Sequence, residues 1–221
     1  MSPINKKKIV YSLWSLVYLA LAVVIVVSSV SLFNNFYYES VYVHGASMSP
    51  TLSGNGVEDS SNFERLGSDY GIIDKSNGAK RNVKRYQIVT TFYPGENPDT
   101  ASYKIKRVLA KPGERFKIEN YNLYLYNEKD NSWGEPLDMP FDRNLENDHH
   151  MNYPATTLSK DQYFLAGDNW SHSQDSFDVG PIDFDLLVGV VVKMQGRCTV
   201  KDNKVIEKEE YKARYFLGVD Y

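Results

Sequence analysis

The sequence predicts a mostly β domain carried behind a single N-terminal transmembrane helix. Three observations predict it. A charge-free apolar span runs from Ile9 to about Phe33. The chain holds 17 Tyr and 10 Phe, residues that favour strands. The part after the span breaks into short β-branched and aromatic runs separated by Gly, Pro, Asn and Asp, the pattern of a β-rich domain.

The span comes first. At about 1.5 Å per residue, about 20 to 25 residues cross a hydrocarbon core about 30 Å thick. A cleaved signal has an apolar stretch of only about 7 to 15 residues, so a retained anchor is expected, although small residues do occur at Ser28-Ser29-Val30-Ser31. The span has no polar face, which argues against a helix packed on a soluble core. Lys6, Lys7 and Lys8 precede it, and the positive-inside rule then keeps the N-terminus in the cytoplasm. The expected organisation is a cytoplasmic basic tail at 1–8, an anchor at 9–33 and an extracytoplasmic domain at 34–221, in a single-pass protein of the cell membrane. Roughly 185 residues outside the anchor are enough for one domain with its own core. A net charge of −3 gives no reason to expect nucleic acid as a partner. Cys198 is the one cysteine, so no internal disulfide is possible, and it reads as a small packed side chain.

The elements follow in order. Tyr38 to Val43 reads as a strand that delivers a turn containing Ser47. Ser53 to Lys84, rich in Gly, Ser, Asn and Asp, reads as a long, partly irregular loop. Tyr86 to Tyr93 and Ser102 to Leu109 read as strands, with turns at Pro94-Gly95 and Lys111-Pro112-Gly113. Phe116 to Glu119 and Leu123 to Tyr126 flank Asn120-Tyr121-Asn122 and predict a hairpin. Asn127 to Lys160 reads as a polar excursion from the core. Gln162 to Ala166 is a short strand running into Gly167-Asp168-Asn169, and Leu186 to Met194 a central one. The charged tail, Lys201 to Tyr221, is expected outside the core.

Ser47 stands in His44-Gly45-Ala46-Ser47-Met48-Ser49-Pro50-Thr51-Leu52, just beyond the anchor. A serine hydroxyl attacks poorly until a base takes its proton. Among the histidines, His44 lies on the incoming strand and His149 and His150 in the polar excursion; His172, beside Gly167-Asp168-Asn169, is the best candidate base of this type. A lysine can serve instead. Its ordinary pKa is about 10.4, so it must be buried among apolar groups to be neutral. Lys106 meets that need, flanked by Ile105, Val108 and Leu109. Lys104 has the same strand parity, and parity does not choose between them. No metal or cofactor is expected.

Three blocks in this order carry a resemblance. Ser47-Met48-Ser49-Pro50-Thr51-Leu52, then Lys106-Arg107-Val108-Leu109-Ala110-Lys111-Pro112-Gly113-Glu114, then Gly167-Asp168-Asn169 with Ser173-Gln174-Asp175-Ser176, all behind an anchor, resemble the bacterial type I signal peptidases. The resemblance implies a signal-peptidase-like β-rich fold and a serine endopeptidase with Ser47 as nucleophile and Lys106 as general base. It implies that Ser173 orients the lysine amine, that Asp168 and Arg107 form a structural ion pair, and that Asp175 belongs to the same supporting shell. The implied partners are membrane-bound preproteins with small-x-small cleavage sites, membrane lipid, and the Sec translocon nearby.

The chain also departs from the family's pattern. Phe177 stands where the family usually has arginine, and Trp170 where arginine is common. Arg85-Tyr86-Gln87-Ile88-Val89 replaces a run that usually holds glycine and aspartate. Gly45 removes a side-chain hydroxyl that some members use to hold the oxyanion. An alternative expectation is therefore a catalytically weak signal-peptidase-like assembly factor for surface proteins or pili. A soluble self-cleaving repressor with a Ser/Lys site would need an N-terminal DNA-binding domain in place of the anchor. The eukaryotic type of signal peptidase would need histidine at position 106.

Overall fold

The computed structural model describes residues 3–52, 54, 64–145, 150–201 and 204–216. The chain divides into two compact units, Met1–Glu39 and Ser40–Tyr221. The first is essentially one helix, α1 (Pro3–Tyr37). Its part from Leu13 to Tyr37 is long and apolar enough to cross a membrane by length and composition. Side chains at positions 13 to 36 are all exposed, an arrangement unfavourable in water and favourable in hydrocarbon.

The second unit is built from strands. In chain order they are β1 (Tyr38–Tyr42), β2 (Glu64–Asp74), β3 (Ile88–Thr91), β4 (Lys104–Ala110), β5 (Arg115–Glu119) and β6 (Asn122–Asn127). Then come β7 (Ser132–Trp133), β8 (Tyr153–Thr157), β9 (Gln162–Ala166), β10 (Ile182–Asp183), β11 (Leu187–Lys201) and β12 (Lys204–Arg214). Two short helices, α2 (Asn77–Arg81) and α3 (Ser176–Val179), sit between them. The larger sheet has the order β1-β2-β11-β3-β4-β9-β10, with β12 also paired to β11. The smaller runs β7-β6-β5-β8.

Side chains alternate across a strand, so β3 and β11 each feed two faces. Val89, Val108, Leu165, Val190 and Ile182 pack together on one side. Ile88, Val191 and Met194 join Val43, Met48, Leu52 and Ile73 on the other. A third cluster, with Leu109, Phe116, Phe164 and Trp170, involves residues of both sheets. The β5–β6 connection is the two-residue hairpin turn Asn120-Tyr121, with φ of 49° and 64°. Positive φ at both positions is what such a turn requires.

Two expectations are corrected and a third is refined. The stretch read as a loop from Ser53 to Lys84 contains the 11-residue strand β2 and the helix α2. Within β2, Glu64-Arg65-Leu66-Gly67-Ser68-Asp69 shows no alternation; pairing with β11 from Asp74↔Val190 to Glu64↔Lys201 makes it a strand. The excursion from Asn127 to Lys160 supplies β7 and β8 of the smaller sheet. The charged tail keeps most of its described side chains exposed, as expected of a segment outside the core, but it is not irregular: β12 pairs with β11, and Phe216 packs against the cluster around Met48.

Candidate active site

β1 leads into the serine turn. Val43 N–H donates to the Asp69 carbonyl at 2.8 Å, and Gly45 N–H to the Gly54 carbonyl at 3.0 Å. Inside the turn, Ser49 N–H donates to Ala46 O at 3.0 Å and Leu52 N–H to Met48 O at 2.9 Å. Gly45 has φ 77°, a conformation that costs glycine little. Met48 and Leu52, both fully buried, pin the turn to the core. Ser47 is half-buried, and among the described residues neither its N–H nor its hydroxyl has a protein partner. Both are therefore available to a ligand.

The turn docks on the loop that leaves β9. Asn169 N–H donates to Ser47 O at 3.0 Å, and Asn169 Nδ2 to Ala46 O at 3.0 Å. Gly167 is the shared floor, because a Cβ there would overlap both the Ser47 carbonyl oxygen and the Ser173 hydroxyl. Gly167→Ala is thus expected to push the serine turn off its seat. A displacement of about 1 Å costs about 10²-fold in rate, and steady-state kinetics beside a melting curve checks it.

β4 delivers the lysines, and the structure separates them. Lys104 is partly exposed, pairs with Glu96 at 2.9 Å and donates to Ser102 O. Lys106 is 4 % exposed, and among the described residues it makes no hydrogen bond or ion pair. It lies opposite Val89 on β3, so the two side chains share a face with the cluster of Val108, Leu165 and Val190. Loss of hydration without a partner disfavours the ammonium and pulls the amine down to about 8, against the opposing fields of Asp175 and Asp168. No hydrogen bond joins Ser47 to Lys106 among the described residues; catalytic contacts of this kind commonly close only when substrate binds.

Around them stand Arg107, Asp168, Asp175 and Ser173. The Arg107 guanidinium meets the fully buried Asp168 carboxylate in two hydrogen bonds of 2.7 and 2.6 Å. It also donates to Tyr86 O and stacks on Phe141. Asp175 is 1 % exposed. Its carboxylate accepts from Ser173 Oγ at 2.6 Å, Gly167 N–H at 2.8 Å and Phe177 N–H at 3.1 Å. Burial pushes this carboxyl above its ordinary value, against the pull of those bonds and of Lys106. The Ser173 hydroxyl is committed as a donor to Asp175, which leaves its lone pairs free to accept.

The family model described as "Signal peptidase, peptidase S26" matches residues 15–194. The chain belongs to this family. It is a serine peptidase, a hydrolase. "Signal peptidase I P" of Bacillus subtilis subsp. natto is 30% identical over 159 residues, covering 70% of this chain and 75% of that protein. "Signal peptidase I" of Bacillus amyloliquefaciens is 29% identical over 173 residues, covering 76% and 79%. A solved signal peptidase I structure from Enterococcus faecalis is 21% identical with a TM-score of 0.35, covering 49% of this chain and 96% of that one. The family match and the curated relatives lend no support to a catalytically weak assembly factor.

The peptidase accommodates its departures by local packing. Without arginine at position 177, Asp175 is held by three donors, and it caps α3 in a capping box with Asp178. Phe177 packs against Trp170, Phe164 and Tyr153, with ring centroids 5.0, 5.2 and 5.7 Å away. Trp170 is itself 1 % exposed, under the Arg143 guanidinium. Tyr86 takes φ 66°, the left-handed region that glycine tolerates best, and its ring is buried. Arg85 is fully buried against Glu114 and the Leu109 carbonyl.

Three of the histidines lie among the described residues. His172 is exposed beside Ser171, and His44 is exposed. His150 stacks on Phe177, and His149 lies outside the described residues. Sequence reasoning gave no role to Asn169 or Asn144, which clamp the site. Asn144 N–H donates to Asp168 O and Asn144 O accepts from Trp170 N–H. Both are polar residues near turns, but only the fold brings their partners together.

Proposed function

We propose that the peptidase removes signal peptides from exported preproteins through a dyad of Ser47 and Lys106. The observation that carries this reading is a dry lysine on β4, in a fold whose serine turn presents its hydroxyl, neither group having a partner among the described residues. Lys106 Nζ, neutral, takes the proton of Ser47 Oγ as that oxygen bonds to the scissile carbonyl carbon. The Ser47 N–H, which has no protein partner among the described residues, donates to the developing oxyanion. The ammonium returns its proton to the leaving amine as the C–N bond breaks. Water, deprotonated by the same amine, then attacks the ester and restores the serine. As the site closes on substrate, the lone pairs of Ser173 accept from the Lys106 amine and orient it, while Asp175, Asp168 and Arg107 hold the loops in place.

Residues 9–33 anchor the enzyme in lipid, residues 1–8 stay cytoplasmic, and residues 34–221 face outward near the translocon. A substrate tethered in the same bilayer presents its bond at membrane height, so a search through solution becomes a local encounter. The substrate is the small-x-small site that ends a secretory signal. The test uses the full chain in detergent micelles with a secretory preprotein. Cleavage is expected directly after the small-x-small site. Replacing the small residue just before the cut by phenylalanine is expected to abolish it. Mass spectrometry of the products reads both, and cleavage indifferent to that residue would remove the proposed substrate class.

A further inference from the structure

The serine turn is held on both sides by one buried carboxylate residue, and the second hold comes from the tail. Asp69, on β2, accepts Val43 N–H on its main-chain oxygen at 2.8 Å, four residues before Ser47. Its carboxylate, 2 % exposed, accepts from Arg214 Nη2 at 2.8 Å. The same guanidinium donates through Nη1 to the Thr51 carbonyl at 2.9 Å, four residues after Ser47. The turn between Val43 and Thr51 is therefore closed into a clasp by Asp69 and Arg214. Arg214 is placed by register, opposite Met194 on β11. Phe216, two residues on, packs against the same cluster as Met48. Arg214 and Phe216 also wall a cleft of about 420 Å³ together with Pro50, Thr51 and Arg107. Arg214 lies beyond residue 194, where the family match ends.

We infer that Arg214 is a positioning residue for the peptidase reaction, holding the Ser47 turn in its reactive shape from the C-terminal strand. This rests on the reading of Ser47 as nucleophile. The guanidinium is suited to the task because its planar fork reaches two acceptors at once, which an ammonium cannot do in a fixed plane. It is partly exposed, so its contribution lies in geometry more than in global stability.

The experiment compares Arg214→Ala, Arg214→Lys and Arg197→Ala in the full chain in detergent. Arg197 is the second arginine near Asp69, at 3.9 Å and largely exposed, and among the described residues no bond joins it to the turn. Arg214→Ala is expected to lower kcat about tenfold or more with KM within about twofold, as small displacements of reacting groups do. Arg214→Lys is expected to recover part of that loss, and Arg197→Ala to stay close to wild type. Amide hydrogen exchange supplies a readout independent of catalysis: Ser49 and Leu52, bonded within the turn, are expected to exchange faster in Arg214→Ala. Unchanged exchange at those amides overturns the clasp. Faster exchange with unchanged kcat overturns its role in the reaction, as does an equal loss in Arg197→Ala. Failure of the serine assignment would show separately, as activity surviving in Ser47→Ala.

Discussion

Ser47→Ala is expected to lose preprotein cleavage by a factor on the order of 10⁴ to 10⁶, the range seen when the nucleophile of a serine peptidase is removed. Binding and oxyanion donors alone leave a residual acceleration of about 10³ to 10⁴ over water. The fold is expected to survive, because the Ser47 side chain makes no hydrogen bond among the described residues. The turn's own bonds run through the main chain of Ser47 and through Ala46, Met48, Ser49 and Leu52. An unchanged melting temperature beside abolished cleavage is the expected pair of results. Cleavage persisting in a folded Ser47→Ala protein would show that the attacking oxygen belongs to another residue.

Lys106→Met carries the second large effect, and it has two signs. Activity is expected to fall by a factor comparable to the serine change, because residues acting as one unit are not additive. The wild-type rate is expected to climb about tenfold per pH unit below pH 8, since only the neutral amine takes the proton. It levels off above about 8, where burial has placed the Lys106 amine. Stability moves the other way in the variant. The amine's folded value of about 8 lies below its ordinary 10.5. Between those values the unfolded chain still holds the proton that the native protein has released, so wild-type stability rises with pH there. Below about pH 8 the native protein bears the cost of a buried ammonium, which is absent from methionine. At pH 7 Lys106→Met is therefore expected to be more stable than wild type by up to about 3 kcal/mol, the gap closing as pH passes 10. Denaturant unfolding at pH 7 and pH 10 checks this. A variant less stable at pH 7 would show that the amine is not buried uncompensated.

The strands carrying alternating or continuous apolar runs were legible from sequence. β3, β4, β9 and the start of β11 lie close to the runs read for them, because β-branched residues and flanking turns are local signals. β2 was not legible. Its Gly71 has no periodic meaning until β11 arrives, when a Cβ there would overlap the Lys193 carbonyl and Met194. The pairing of the tail was not legible for a related reason: Lys204 to Arg214 is charged and largely exposed, the usual guise of an edge strand, and its partner is not evident from its own sequence. Phe177 posed a buried carboxylate without its usual cation. The donors that answer it, the Ser173 hydroxyl and the N–H groups of Gly167 and Phe177, are brought together by a backbone path whose shape no residue list specifies.

By itself the sequence determined an apolar segment long enough to cross a membrane, a β-rich body and three motif blocks in order. Those follow from length, apolarity and short-range spacing, which need no knowledge of what lies across the fold. The tertiary structure decided which of two lysines of equal parity is dry, how Asp175 is satisfied without arginine, and that Arg214 reaches Thr51 across 163 positions of chain. Burial and electrostatic environment are set by groups distant in sequence, so they exist only once the sheet has brought those groups together.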